Sequence, residues 1–462
     1  MHHDALRFVL TASLPIATLL AVADAHAQLT PVAPPAGVTP TAPKQQAPAL
    51  PPPVSVSEQR YREMSAYIRA RGAIDEAMRK DLRDLAAKLD ADISAPTSTL
   101  EMVQRLCPAR AQVAIWLGDD AAMHAAFQRL VSVLPSSDAA ALAWARESVT
   151  SGDFERAADI LSSRTFAPDR MIDAETVRAL ALLGLHRFQE AQAVLNAVPA
   201  AGRTPAQQAL ITSMSQRLVT LKDQWYAEQN QILKDQALPE ESALPVVELV
   251  TTKGPIEIEL FEDQAPNTVG NFIEHVERGT YAGTKFHRRL RGLGVQGGDP
   301  ATASGDEGGR STGGWTVPDE GERADRRGMF VGRVILAKQP NPADGKLALP
   351  NSGGCQFMFL LTPSEQFDGV FTAFGRVLEG WEVARTLGPD DSILSAQVIR
   401  KRAHDYKGIR LGESATGDFS MPRLGAAGVA RTNETKVNPA PLVNPTVATP
   451  VVKPATPPAT GK

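Results

Sequence analysis

The sequence predicts a multidomain protein: an amino-terminal all-α helical-repeat domain, then a mainly-β domain, with disordered termini. Three observations carry this. Apolar residues recur every three or four positions over residues 61–235, and every second position soon after Pro239-Glu240-Glu241. A 34-residue spacing recurs inside the helical part. Proline crowds the start of the chain, and alanine, proline, threonine and valine fill its last fifty residues without period.

At 462 residues the chain is too long for one compact core, and its 43% apolar share lets each folded part bury one. A net charge of −4 and a pI near 6.1 argue against nucleic acid as the main partner, because phosphate binding needs a concentrated basic face. The Arg288–Arg289 and Arg326–Arg327 pairs are local and fit solvated surface. The two cysteines, Cys107 and Cys355, fall in different domains, so a disulfide between them is not expected.

Taken in order, the chain opens with Arg7, an apolar run over residues 8–22 and then Ala25-His26-Ala27. A charged start, a short apolar segment and a small-x-small site form the pattern of a secretory signal peptide, cleaved after Ala27. The run is shorter than the ~20 residues a spanning helix needs, and no later stretch is long and apolar enough to span. We therefore expect an exported protein, periplasmic if its source has two membranes and otherwise secreted or envelope-bound. Residues 28–57 are rich in proline, which fixes φ and lacks an amide donor, so they form an extended linker.

Residues 58–237 form the helical domain, with prolines (Pro108, Pro135, Pro168, Pro199) at the joints. Gly118-Asp119 recurs as Gly152-Asp153, and Phe154, Ala157 and Leu161 recur as Phe188, Ala191 and Leu195, each 34 positions on. Gly184 falls two residues out of phase with Gly152. Two to three degenerate units of this kind resemble tetratricopeptide repeats, whose stacked helix pairs imply a possible peptide or protein partner. Trp116, Trp144 and Trp225 are assigned to packing.

Residues 243–411 change texture. Val247 and Leu249, a Thr-Thr-Lys-Gly turn, and Ile256, Ile258 and Leu260 alternating with glutamates make a hairpin with one buried face. Ala265-Pro266-Asn267-Thr268 opens a helix, and the rest continues as strands and glycine-rich loops to about Ile409. Residues 412–462 form a disordered tail.

The chemistry concentrates in residues 281–300, YAGTKFHRRLRGLGVQGGDP. No P-loop, HExxH, GxSxG or metal-spaced Cys/His pattern occurs, so neither cofactor nor metal is expected. What remains is a strand presenting one fixed cation, Arg288, and one amide, Gln296, eight positions later. That pairing suits holding a peptide group rather than breaking one.

With APNTVGNF, FHRRLRGLGVQGGD, NSGGCQF, FDG and FTAFGRVLEG in this order, residues 243–411 resemble the cyclophilins. The resemblance covers over a third of the chain. It implies an eight-stranded antiparallel barrel capped by two helices and a peptidyl-prolyl cis-trans isomerase acting on proline-containing, unfolded or folding polypeptides. It assigns the catalytic guanidinium to Arg288, helped by Gln296, with Gln356 and Ala337 contacting the peptide. It assigns Phe261, Phe272, Phe286, Phe357 and Phe374 to the barrel core. His287 is expected to hydrogen-bond inside the fold and Cys355 to pack.

Several pocket positions depart from the family pattern. Leu293 and Gly294 stand where phenylalanine and methionine are usual, and Met358 replaces the pocket-floor phenylalanine. Lys338 replaces an asparagine and precedes an inserted loop to about Pro350. Gln366, Phe367 and Phe371 replace a tryptophan or histidine, a leucine and a histidine. The polar cradle is kept while much of the proline-ring pocket is rebuilt. Three readings follow: an active isomerase; a catalytically weak module that binds proline-containing peptides with the helical repeats as scaffold; or a protein whose helical repeats are the functional part and whose barrel is an accessory.

Overall fold

The structure, a computed structural model, describes residues 51–71, 74–306, 311–340 and 348–412. The leader, most of the proline-rich linker, the centre of the inserted loop and the tail from 413 lie outside the described residues.

The first half is helical: α1 Val56–Arg71, α2 Glu76–Ser94, α3 Leu100–Leu117, α4 Asp120–Val133, α5 Asp138–Ser151, α6 Phe154–Ser162, α7 Pro168–Gly184, α8 Phe188–Ala197 and the long α9 Pro205–Gln236. The 34-residue period shows at the turns between α3 and α4, α5 and α6, and α7 and α8. Each leading helix ends on a left-handed residue, Gly118 (φ 76°), Gly152 (φ 80°) and His186 (φ 58°). The amide after each donates back to the carbonyl five residues earlier: Asp119 to Ala114 (2.9 Å), Asp153 to Ser148 and Arg187 to Leu182 (both 2.8 Å). Asp119 and Asp153 then cap the next helix through Ala122 N–H and Arg156 N–H, at 3.0 and 3.2 Å.

The third turn therefore stays in phase. Its left-handed position is His186, not Gly184, and the ring is held by stacking on Trp225 with centroids 3.7 Å apart. Gly184 serves another purpose: a Cβ there would sit 2.4 Å from the Phe154 ring. Pro108 also differs from expectation, lying inside α3 rather than at a joint. The helix runs on through it, with Leu106, Cys107, Ala109 and Ala111 around it all buried. Phe154, Ala157, Leu161, Phe188, Ala191 and Leu195 all enter one core, and the three tryptophans pack against the cores from its edge.

The second half is one eight-stranded antiparallel sheet, curled, in the order β3-β4-β6-β5-β7-β2-β1-β8. The strands are β1 Val246–Thr251, β2 Gly254–Leu260, β3 Arg288–Leu290, β4 Gly294–Gly297, β5 Arg333–Leu336, β6 Phe357–Leu360, β7 Ala373–Glu379 and β8 Ile393–Arg400. Hydrogen bonds from Gly283, Ile393 and Phe286 N–H to Ile393, Thr284 and Asp391 carbonyls, 2.8–3.0 Å, draw the two ends of the sheet together. Helices α10 Pro266–Glu277 and α11 Trp381–Ala384 accompany it. The expected hairpin is present, with Val247, Leu249, Ile256, Ile258 and Leu260 fully buried. The last strand ends at Arg400, and the chain beyond it runs on to pair Leu411 with Thr316.

The two halves are joined by buried charge. Arg327, expected at the surface, instead reaches Glu228 (3.0 Å) and Asp235 (2.7 Å) of α9, with every partner under 5% exposed. Removing that exposure is tolerable only because both carboxylates meet the guanidinium. Arg333 pairs with the same Glu228, and burial pushes its pKa down to about 10. Burial would raise the Glu228 carboxyl, but the two arginines outweigh it and hold it below its ordinary value. Phe330 inserts its ring edge-on against Trp225, 4.9 Å away, and belongs to the helical core.

Candidate active site

Strand register assembles the site. Directly opposed residues of an antiparallel pair share a face. Arg288 of β3 faces Gln296 of β4, Gln296 faces Met358 of β6, Met358 faces Ile335 of β5, and Ile335 faces Ala373 of β7. Leu290, Gly294 and Leu360 form a parallel row one step along. The opposite face carries Val295, Phe357, Phe359, Val334 and Leu336, which belong to the barrel core.

The result is an apolar cluster on the site face: Leu293, Met329, Ile335, Met358, Leu360, Phe367 and Ala373, with Leu290 and Phe371 against it. Four pocket residues read from sequence, Leu293, Met358, Phe367 and Phe371, meet there. Met329, Ile335, Leu360 and Ala373 were not anticipated. The alternation Phe357-Met358-Phe359-Leu360 held the signal for Leu360, since period two puts it on the Met358 face.

Arg288 heads this row half-buried, and among the described residues no hydrogen bond or ion pair reaches its guanidinium. Burial alone lowers its pKa from the usual guanidinium value. Beside it, Gln296 Nε2 donates to Gln356 Oε1 at 2.8 Å. Gln356 Nε2 donates in turn to Asp299 Oδ2 (3.1 Å) and to the Ser311 carbonyl (2.8 Å). Asp299, fully buried, also accepts from Ser311 and Ala301 N–H at 3.0 and 2.9 Å. This buried carboxylate anchors both amides, and only its place in VQGGDP hinted at it. His287 is half-buried beside it; burial pushes its pKa down, opposed by Asp299.

The remaining positions line the rim. Ala337, buried, follows β5 and donates its N–H to the Gln356 carbonyl at 2.9 Å. Lys338 turns its ammonium inward, onto Asp319 (2.6 Å) and the Val370 carbonyl (2.8 Å), 5.9 Å from the Phe371 ring centre. Phe367 and Phe371 lie with centroids 4.6 Å apart. Gln366 sits half-buried on a short 3-10 turn (Glu365–Phe367) that Arg217 of α9 grips through Glu365 at 3.0 Å. Gly294 is covered rather than vacant: a Cβ there would lie 2.7 Å from Met358 Cγ and Sδ. The volume of a methionine is thus supplied from the neighbouring strand.

Burial pushes the Cys355 thiol far up, and its sulfur packs over the Ser311 carbonyl at 3.7 Å. Phe261, Phe272, Phe286, Phe357 and Phe374 are all at most 1% exposed, so they serve packing. Among the described residues no group of three His, Cys, Asp or Glu side chains could hold a metal, and no helix is long and apolar enough to cross a membrane.

A curled antiparallel sheet presenting one cation and two linked amides beside an apolar patch can hold a peptide backbone and an apolar ring. The family described as cyclophilin-type peptidyl-prolyl cis-trans isomerase/CLD matches residues 246–399. Peptidyl-prolyl cis-trans isomerase CYP18-2 of Arabidopsis thaliana is 36% identical over 171 residues, spanning 36% of this chain and 97% of its own. Peptidyl-prolyl cis-trans isomerase-like 1 of Homo sapiens is 40% identical over 153 residues, 33% of this chain and 85% of its own. A cyclophilin-type isomerase of Cryptosporidium parvum, crystallised in the presence of the dipeptide Ala-Pro, is 28% identical and covers 34% of this chain and 99% of that one, with a TM-score of 0.28. The chain belongs to the cyclophilin-type peptidyl-prolyl cis-trans isomerase family.

Proposed function

We propose that the protein is an exported peptidyl-prolyl cis-trans isomerase acting on X–Pro bonds of folding envelope proteins, with Arg288 stabilising the twisted imide. The barrier to rotation, ~18–20 kcal/mol, comes from amide resonance, so no acid, base or nucleophile is needed. Rotation leaves the prolyl nitrogen pyramidal with a free lone pair. A guanidinium aimed at that nitrogen binds the twisted form more tightly than either planar one. The Leu293–Met358–Phe367 cluster would hold the proline ring, while Gln296, fixed by Gln356 and Asp299, takes the peptide backbone.

One observation carries this reading: Arg288 stands half-buried and unpaired among the described residues, directly opposite Gln296. A cation used for structure would be matched, as Arg289 and Arg327 are. Protease-coupled isomerisation of a proline tetrapeptide tests it. Arg288→Ala should lower kcat/KM by about 10²–10³-fold while peptide binding stays within a few-fold. Undetectable turnover of the unaltered protein with retained binding would leave the peptide-binding module instead.

The leader reading predicts a mature chain beginning at Gln28, checked by amino-terminal mass analysis of the exported protein. We further propose that the tetratricopeptide-like half serves first as a scaffold. Support comes from its turns: the one at Gly152 lies against Leu361, and His186 lies beside Phe330.

A further inference from the structure

We infer that Asp120, in the helical half, is a positioning residue for the isomerase site: it sets the β3–β4 hairpin that carries Arg288 and Leu293. This rests on the isomerase reading of that site. Strand β3 has three residues and lies at the end of the sheet, with β4 as its one strand neighbour. So short a strand makes too few ladder bonds to fix a side chain alone. The Arg288 guanidinium has no hydrogen bond or ion pair among the described residues, so its aim depends on the backbone beneath it.

That backbone is held from the helical half. Side chains of Arg288 and Leu290 share the site face, while Arg289 and, in the turn beyond β3, Arg291 reach Asp120 of the helical half. Asp120, the first residue of α4 and 2% exposed, takes Arg289 on one carboxylate oxygen and Arg291 on the other, the latter at 2.9 Å. Arg289 also donates to the Arg385 and Leu387 carbonyls, both at 2.7 Å, so one guanidinium spans the two halves. At the tip, Gly292 N–H donates to the Thr150 carbonyl at 2.7 Å, and Arg291 reaches Glu147 Oε2 at 2.7 Å. Leu293, the next residue, packs into the apolar cluster on the site face. The two turns that meet the hairpin are the ones at Gly118 and Gly152, so the 34-residue repeat supplies two anchors in register.

The test compares full-length variants. Asp120→Asn keeps the shape and removes the charge; Arg291→Gln loosens the same anchor at a more exposed position. Leu195→Ala weakens the helical core without touching the hairpin. Each is assayed for kcat, KM, binding of an Ala-Ala-Pro-Phe peptide, thermal midpoint and amide exchange at residues 288–294. The inference expects kcat to fall about tenfold or more in Asp120→Asn and Arg291→Gln, peptide affinity to hold within twofold, and exchange to quicken at the hairpin. Leu195→Ala should lower the midpoint and leave kcat unchanged. Unchanged kcat in both hairpin variants, or a loss that merely tracks the midpoint as in Leu195→Ala, overturns it. Should Asp120→Asn fail to fold, Arg291→Gln decides. If the unaltered protein shows no turnover, the isomerase reading fails by itself, and the exchange comparison still decides whether Asp120 holds the hairpin.

Discussion

Gly294 and Met358 are best understood as a pair. Their rows adjoin on the site face, and the methionine side chain covers the glycine. The space above Gly294 is closed on one side by backbone, the Phe359 carbonyl lying 2.6 Å from an ideal Cβ. Gly294→Ala should therefore destabilise the protein by ~1–3 kcal/mol, and by less, though not by nothing, when introduced into a Met358→Ala background, both compared in denaturant melts with the matching parent. No loss in that background would show that the side chain, not the carbonyl, sets the limit. The amide relay is equally local. Gln356→Leu removes the acceptor for Gln296 and leaves Asp299 with one donor fewer, so kcat/KM should fall roughly tenfold, the worth of one or two hydrogen bonds. Arg288 and Gln296 were legible in the sequence itself, and Gln356 through the cyclophilin resemblance. Asp299 and Ile335 were not, because their part in the site depends on which neighbour each faces across a strand.

At the level of elements, the helical repeat was legible and its phase was not. Glycine is the usual left-handed residue, so Gly184 drew attention that belonged to His186. The structure shows why histidine is accepted there: its ring gains a stacked partner on α9, an element outside the repeat. At Gly152 no such compensation exists, and Leu361 lies at an ordinary 3.6 Å. Gly152→Ala should cost ~1–2 kcal/mol from backbone strain alone, read as a shift in chemical denaturation; no shift would mean that the turn relaxes freely. Helix α10 shows the converse. Its cap, Ala265, offers no side-chain bond, and Glu320, 52 or 53 residues away, accepts instead from Asn267 and Thr268 N–H at 3.0 and 2.9 Å. A cap supplied across the fold leaves no local pattern to read.

For the whole molecule, the buried arginines at the junction mean that neither half presents a finished surface. Without α9, Arg327 would lose both its carboxylates, Arg333 would lose Glu228, and Phe330 would lose Trp225. We expect calorimetry to record one cooperative unfolding transition for the helical and barrel halves together. Two separate transitions would show that the junction is weak. Acid should weaken the whole. Burial holds His124 at about 4 and His186 and His275 at about 3. The unfolded chain therefore binds protons near pH 6.5 that the folded one refuses. Their contribution is complete above that pH and declines as pH falls toward 4, by about 1.4 kcal/mol per pH unit for each histidine. Urea titrations at pH 7, 6 and 5 check this, and a flat profile would contradict it.

The order of residues was enough to set the helical and strand periods, the hairpin and the Arg288–Gln296 pair, because each depends on neighbours within a turn or a strand. The barrel-core phenylalanines came through the family resemblance. Tertiary structure alone decided that Met358 fills the space over Gly294, that Lys338 is bound inward, and that Arg289, Arg291 and Arg327 join the two halves. Those outcomes depend on which distant groups can share a buried charge or volume, and burial makes an unmatched arginine so costly that its partner, rather than its own type, determines where it goes.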